Sequence, residues 1–224
     1  MGYLVPIIML LGLGIMAFFM MKGNKQQILW LKEIASQNGW SSKTKSEGAI
    51  GVYQIIGTSQ EGLRWELNAY SRSSSEDRNV ILHPSREYTE LLCTISNHEG
   101  ELLVMPRDLS WKSFSDQQIL GFIKPVWVAM GLPADNFVAY SNIREDIQKM
   151  YMIYTTKLEF AKSILPDELL QELVKWSEVI GKKGSLVNIR ISPKELSLQV
   201  GYLINSPKEV KGLITIGERM SRGL

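Results

Sequence analysis

The chain has one cysteine, Cys93, and two histidines, His83 and His98, in 224 residues. One cysteine excludes an intrachain disulfide and agrees with a reducing compartment. A structural zinc site needs several Cys, His or carboxylate ligands at short spacings, and His98-Glu99-Gly100-Glu101 lacks a second histidine. Charge of one sign is missing too. Lys+Arg 25 against Asp+Glu 23 leaves a net charge of +2, and no basic run is longer than Lys182-Lys183. That balance gives no electrostatic footprint for nucleic acid. There is no phosphate-binding loop of the G-x-x-x-x-G-K-[ST] kind and no G-x-S-x-G serine hydrolase motif. A low-complexity tail and a long Pro/Gly linker are likewise absent, so the composition is that of a globular chain.

One long apolar run is present. Leu4 to Met21 (LVPIIMLLGLGIMAFFMM) carries no charged side chain over 18 residues. As a helix it would reach roughly 27 Å, close to the thickness of a thin hydrocarbon core. A cleavable signal is disfavoured by the missing basic start and by bulky Phe18-Phe19-Met20-Met21 where small residues are needed. The expectation is an uncleaved transmembrane anchor. Lys22, Lys25 and Lys32 follow it, which predicts a cytoplasmic C-terminal side at a cell inner membrane, with a domain outside as the alternative. Gly12 and Gly14 are two apart, not the four-residue spacing of a dimerising helix.

The remaining chain alternates strand and helix signals. Asn24, Gln27 and Gly39 predict a helix with Ile28, Leu31 and Ala35 on one face, widened by Leu29, Trp30 and Ile34. Ile50 to Thr58 and Leu63 to Tyr70 flank Ser59-Gln60-Glu61-Gly62 and predict a hairpin. In its second strand Leu63, Trp65, Leu67 and Ala69 alternate with Arg64, Glu66 and Asn68, so one face is buried. A short strand is expected over Asn79 to Leu82. A second hairpin is expected from Thr89 to Ser96 and Glu101 to Met105 around Asn97-His98-Glu99-Gly100. Ser115 and Gln118 form a capping box for a helix lined by Ile119, Ile123, Val126, Trp127 and Met130, which Pro125 should kink or break. Residues 132 to 148 read as a loop with a short turn at Asn142 to Gln148. Lys149 to Lys157 is strand-like. Pro166 to Gly181 is a helix bearing Leu169, Leu173, Trp176 and Ile180. Leu186 to Ile191 and Leu196 to Leu203 form a hairpin, and Ser206-Pro207-Lys208-Glu209 caps a last helix.

Candidate chemistry is sparse. The available nucleophile set is Cys93 with His83 or His98 and Glu87, Glu90 or Glu99. Cys93 lies mid-strand beside Leu91, Leu92 and Ile95, the setting of a small core hydrophobe, and His98 lies in a turn where exposure is expected. Asp167-Glu168 is explained by the positive end of a helix dipole, and Glu76-Asp77 and Glu145-Asp146 are scattered. Arg72 and Arg78 could bind an anion, though a solvated loop accounts for them. Trp40, Tyr53, Trp65 and Tyr70 could line a groove, but their alternation suits core and cross-strand neighbours. No catalytic, cofactor-binding or metal residue is assigned.

The last third, with its tyrosine-rich strand, Glu159-Phe160-Ala161-Lys162, Leu165-Pro166, a helix, a hairpin and a final helix, resembles the C-terminal part of some bacterial membrane-anchored proteins of unknown function. The resemblance covers about 75 residues and brings no site residues with it. It implies a bacterial membrane protein.

The expected fold is α+β: an N-terminal transmembrane helix, then antiparallel β-hairpins covered by amphipathic helices, ending in a β-α-β-β-α unit. The divisions are 1–23 (anchor), 24–110 (helix plus β-rich part) and 111–224 (α+β part), with 24–224 also readable as one domain. The expected function is a non-enzymatic, membrane-anchored accessory subunit. Its partners would be the lipid bilayer through Leu4 to Met21 and a protein at the membrane. A membrane-tethered enzyme and a lipid or small-ligand carrier are the alternatives.

Overall fold

The structure, a computed structural model, describes Leu29 and residues 31–43, 53–59, 62–71, 87–111, 113–129, 136–181, 186–204 and 206–224. Its frame is one antiparallel sheet of nine strands: β1 (Ser41–Lys43), β2 (Tyr53–Thr58), β3 (Arg64–Ser71), β4 (Glu87–Thr94), β5 (Leu102–Pro106), β6 (Val138–Ala139), β7 (Tyr151–Thr155), β8 (Asn188–Ser192) and β9 (Glu195–Val200). Their order across the sheet is β1-β2-β3-β4-β9-β8-β5-β7-β6.

Register puts a continuous aliphatic row on one face. Ile55, Leu67, Leu91, Leu198, Ile189, Val104 and Ile153 are successive cross-strand partners from β2 to β7. None of the seven is more than 1% exposed. The period-two alternation of each strand and the pairing of strands in register give this row together. Over it lie helices α1 (residues 31–37), α4 (Leu158–Ile164), α5 (Asp167–Ile180) and α6 (Pro207–Arg222), which with the row form the larger hydrophobic core. α6 crosses β4 and β9 at Gly217, where a Cβ would stand 2.9 Å from Leu91 Cδ2 and 3.3 Å from Cys93 Sγ. A β-carbon at that position would require the end of the Leu91 side chain to shift.

The other face divides in two. Over β5, β7 and β6 lies α2 (Asp116–Ala129), preceded by a 3₁₀ turn at Leu109–Trp111. Ile119, Leu120 and Trp127 of α2 pack against Leu103, Phe137, Met152 and Tyr154 in a second core. Over β2, β3, β4, β9 and β8 the row is polar: Gln54, Asn68, Glu90, Gln199 and Asn188 are successive cross-strand partners. α3 (Glu145–Gln148) joins β6 to β7.

Several caps are as the sequence implies. Gly39, Gly62 and Gly181 have φ of 69°, 86° and 59°, the left-handed geometry that ends α1, closes the β2–β3 turn and stops α5. Ser206 Oγ accepts from the Glu209 amide at 3.3 Å, and Pro207 opens α6. Ser115 and Gln118 bond reciprocally at the start of α2, at 2.9 and 3.3 Å.

Other expectations are corrected. Among the described residues no helix is long and apolar enough to cross a membrane. The longest, α6, has 16 residues, about 24 Å of rise, and carries Lys208, Glu209, Lys211, Glu218, Arg219 and Arg222. The transmembrane, single-pass and inner-membrane readings are therefore not features of this fold, and Leu4 to Met21 lies outside the described residues. The hairpins also do not stand as separate covered units. β4 and β5 are not partners: β4 pairs with β3 and β9, and β5 with β7 and β8. Pro125 does not break α2, which runs through to Ala129. Leu29 is 64% exposed and does not widen the buried face of α1. The strand expected over Asn79 to Leu82 lies outside the described residues.

Candidate partner-binding face

α2 has an inner and an outer face, and the outer one mixes exposed Gln117, Gln118 and Pro125 with large apolar side chains. The inner one is the second core. The outer one carries Phe122 and Val128, 57% and 42% exposed, with Phe114 just ahead of the helix at 41%. Trp111, Phe114 and Phe122 form a ring cluster. Phe114 meets Phe122 edge-on at 5.6 Å and 89°, and Trp111 lies 6.4 and 6.3 Å from the two. Gly121 sits in the same outer face, and a Cβ there would meet nothing within 4 Å. Along α2 the charged side chains are Asp116 and Lys124, so the face is nearly free of charge.

Beside the cluster a cleft of about 760 Å³ is lined by Arg107, Phe114, Ser115, Asp116, Glu145 and Gln148 among others. Arg107 holds its walls together. It pairs with Asp116 in the first turn of α2, donates from Nε to the Gln148 carbonyl at 2.8 Å, and reaches the Phe114 carbonyl at 3.5 Å. Its side chain is 11% exposed and that of Asp116 7%. One guanidinium thus ties the end of β5 to the start of α2 and the end of α3. Tyr154 donates to the Asp116 carbonyl at 3.3 Å from below, and burial pushes its phenol well above the usual range. At the outer rim Glu145 and Lys149 pair at 2.8 Å in solvent. Arg107 and the ring cluster were not singled out by sequence reasoning. The available signal was Trp111-x-x-Phe114 beside Phe122, three large aromatics within twelve residues of a capping box.

The residues the sequence did single out are dispersed. Cys93 is 1% exposed in β4, between Trp65 of β3 and Leu196 of β9. Burial, then the charge of Glu218, pushes its thiol up to about 12. His98 follows β4 and stacks on Phe160 of α4 at 5.0 Å and 17°, so it is half-buried and not the exposed turn residue expected. Among the described residues no hydrogen bond joins Cys93 to His98. Glu87 is exposed at the start of β4, and Glu99 pairs with Lys157 at 2.7 Å in solvent. Asp146 pairs with Arg144, and Asp167 and Glu168 occupy the first turn of α5. His83, Arg72, Arg78, Glu76 and Asp77 lie outside the described residues. Trp40 and Trp65 meet edge-on at 4.9 Å, Tyr70 stacks on Tyr88 at 4.6 Å, and Tyr53 donates to the Ile204 carbonyl at 2.6 Å, all as packing or cross-strand neighbours. The space between α2 and the sheet is filled by the Trp127, Phe137 and Tyr154 rings. Among the described residues no three His, Cys, Asp or Glu side chains gather as a metal site.

Two expectations arise from these placements. The Cys93 thiol should resist thiol reagents in the folded protein at pH 8, and its labelling rate should track global unfolding as denaturant is added. Rapid labelling without denaturant would contradict its place under α6. Glu90 accepts from Ser197 Oγ at 2.8 Å and Gln199 Nε2 at 2.6 Å, and burial holds its carboxyl above the ordinary range. A carboxyl raised in the folded state favours folding fully below its unfolded value, near about 4.3, and loses that contribution as pH rises through the folded value. Relative to wild type, Glu90→Gln should therefore gain stability as pH rises from about 4 toward 8. Urea unfolding of both proteins across that interval checks it, and parallel curves would refute it.

No protein family and no curated protein sequence matches the chain. A solved structure that is similar is the crystal structure of the mycobacterial trehalose monomycolate transport factor A. It shares 10% identity, covers 86% of this chain and 91% of that chain, and has a TM-score of 0.49.

Proposed function

We propose that this chain is a non-enzymatic accessory protein whose α2 face docks a protein partner. The observation that carries the reading is the Trp111-Phe114-Phe122 cluster, in which Phe114 and Phe122 stay 41% and 57% exposed while the opposite face of the same helix is packed. Burying a phenylalanine side chain contributes roughly 1.5–3 kcal/mol, and contiguous exposed aromatics mark interaction sites more often than scattered ones do. The setting resembles the anchors of protein interfaces: aromatic rings at the centre and an arginine fixed at the edge.

The test is a photoreactive side chain at position 122 in cells producing the full chain. One protein adduct is expected, absent when Phe114 is changed to Asp and absent when the probe is moved to exposed Val179 of α5. Equal labelling from position 179, or an adduct that survives Phe114→Asp, would refute the reading. The captured protein, once purified, should bind wild type and lose about tenfold or more in affinity for Phe122→Asp.

A further inference from the structure

The outer side of α2 carries a projection and a recess next to each other. Phe122 projects, and Phe114, its edge-on neighbour at 5.6 Å, forms part of the wall of the 760 Å³ cleft. A cavity of about 150 Å³ takes up benzene, so the cleft has room for a phenylalanine ring brought from outside. A protein that covers this surface well must offer a recess for Phe122 and an apolar ring for the cleft. A second copy of this chain, related by a two-fold axis, offers both at once, because a two-fold contact sets the same patch against itself.

Charge points to the same occupant. Among the described residues four charged side chains line the cleft, and they form two ion pairs, Arg107 with Asp116 and Glu145 with Lys149. Lys124, one turn on from Gly121, is half-buried and already engaged. The cleft lining thus has no net charge with which to select an acidic or a basic partner, and it does not repel its own copy. Gly121 directly precedes Phe122 and is exposed, with open space where a Cβ would stand. Two α2 helices crossing there can approach to about 8 Å between axes, the close end of ordinary helix packing. At that separation each Phe122 lies within reach of the other copy's cleft.

We propose that the α2 face is the two-fold contact of a homodimer, in which Phe122 of each copy enters the cleft of the other beside Phe114. This names the partner of the docking reading above and rests on it. A contact of one helix and one cleft belongs with the small interfaces, under about 1,200 Å² in all, so the dimer forms at micromolar and not nanomolar concentration.

Sedimentation of the purified full chain between about 5 and 500 µM tests the assignment. A monomer–dimer equilibrium is expected, and Phe122→Asp should abolish it. Gly121→Glu sets two carboxylates against each other at the crossing, and Gly121→Lys sets two ammonium groups. Each change should weaken the dimer about tenfold or more, with the melting temperature of the monomer as in wild type. Mixed in equal amounts, the two variants should pair again, since only in a two-fold contact does each then face the opposite charge. A chain that stays monomeric to about 500 µM would overturn the assignment. So would a dimer that survives Phe122→Asp and both Gly121 changes, or two variants that fail to pair when mixed. The docking reading fails separately: it stands if position 122 captures a different protein in an adduct that Phe114→Asp abolishes, and falls if position 122 captures no protein at all.

Discussion

Arg107→Leu is expected to destabilise the fold by about 3–5 kcal/mol, because it strands the buried Asp116 carboxylate without its counter-charge. The loss should be visible as a melting temperature lower by roughly 10 °C or more. It also removes the bonds to the Gln148 and Phe114 carbonyls, so the start of α2 and the end of α3 lose their shared tie. The pairing is isolated by a double-mutant cycle. Arg107→Leu with Asp116→Leu removes both charges, and the pair of changes should cost less than Arg107→Leu alone. A single-variant cost under about 1 kcal/mol would mean that water reaches the pair as it reaches a surface ion pair.

A second large effect separates the two faces of α2. Trp127→Ala should cost about 3–5 kcal/mol, since the indole is 1% exposed and edge-on to both Phe137 and Tyr154. Phe122→Ala, five residues earlier on the same helix, should cost under about 1 kcal/mol because its ring is 57% exposed. Denaturant unfolding of both variants measures the contrast. If Phe122→Ala were as costly as Trp127→Ala, the outer rings would be part of the core and the docking reading would fail with them. If the contrast holds, position 122 can be altered to probe partner binding without disturbing the fold.

Local structure was legible in the residues that fix it. Gly39, Gly62 and Gly181 mark their turns by a backbone geometry few other residues adopt, and Ser115 and Ser206 mark helix starts by a side-chain oxygen. Strand pairing was legible only where the partner is next in the chain, as in β2–β3 and β8–β9. Asn97 to Gly100 has the composition of a hairpin turn, yet the strands it joins find other partners, because β9 fits beside β4 and β8 beside β5. Nothing in a six-residue strand names a neighbour a hundred residues away. The polar row misled in another way. Asn68, like Glu66 and Arg64, reads as solvent-facing by alternation, but Gln54, Asn68, Gln199 and Asn188 are each under 10% exposed. Alternation tells which side chains share a face, not whether that face is wet. The ring cluster was hidden for a related reason: Ile119, Phe122, Ile123 and Trp127 look alike in hydropathy, and only packing decides which of them remains outside.

The pairing of β4 with β9 has a consequence for how the protein is made. Thr89 meets Val200, so a ribosome must add another 111 residues before the outer edge of β4 can be closed. At about 5–20 residues per second that is roughly 5 to 20 s of synthesis. Throughout this interval the nascent β1–β4 ribbon carries an open edge of unpaired backbone N–H and C=O groups that another nascent chain can join. Closure then comes late: β9 completes the row and α6 follows to lay Gly217 across the junction. Slowing translation between β4 and β9 lengthens the exposure, and any nascent chain released before β9 carries that edge into the cell unprotected.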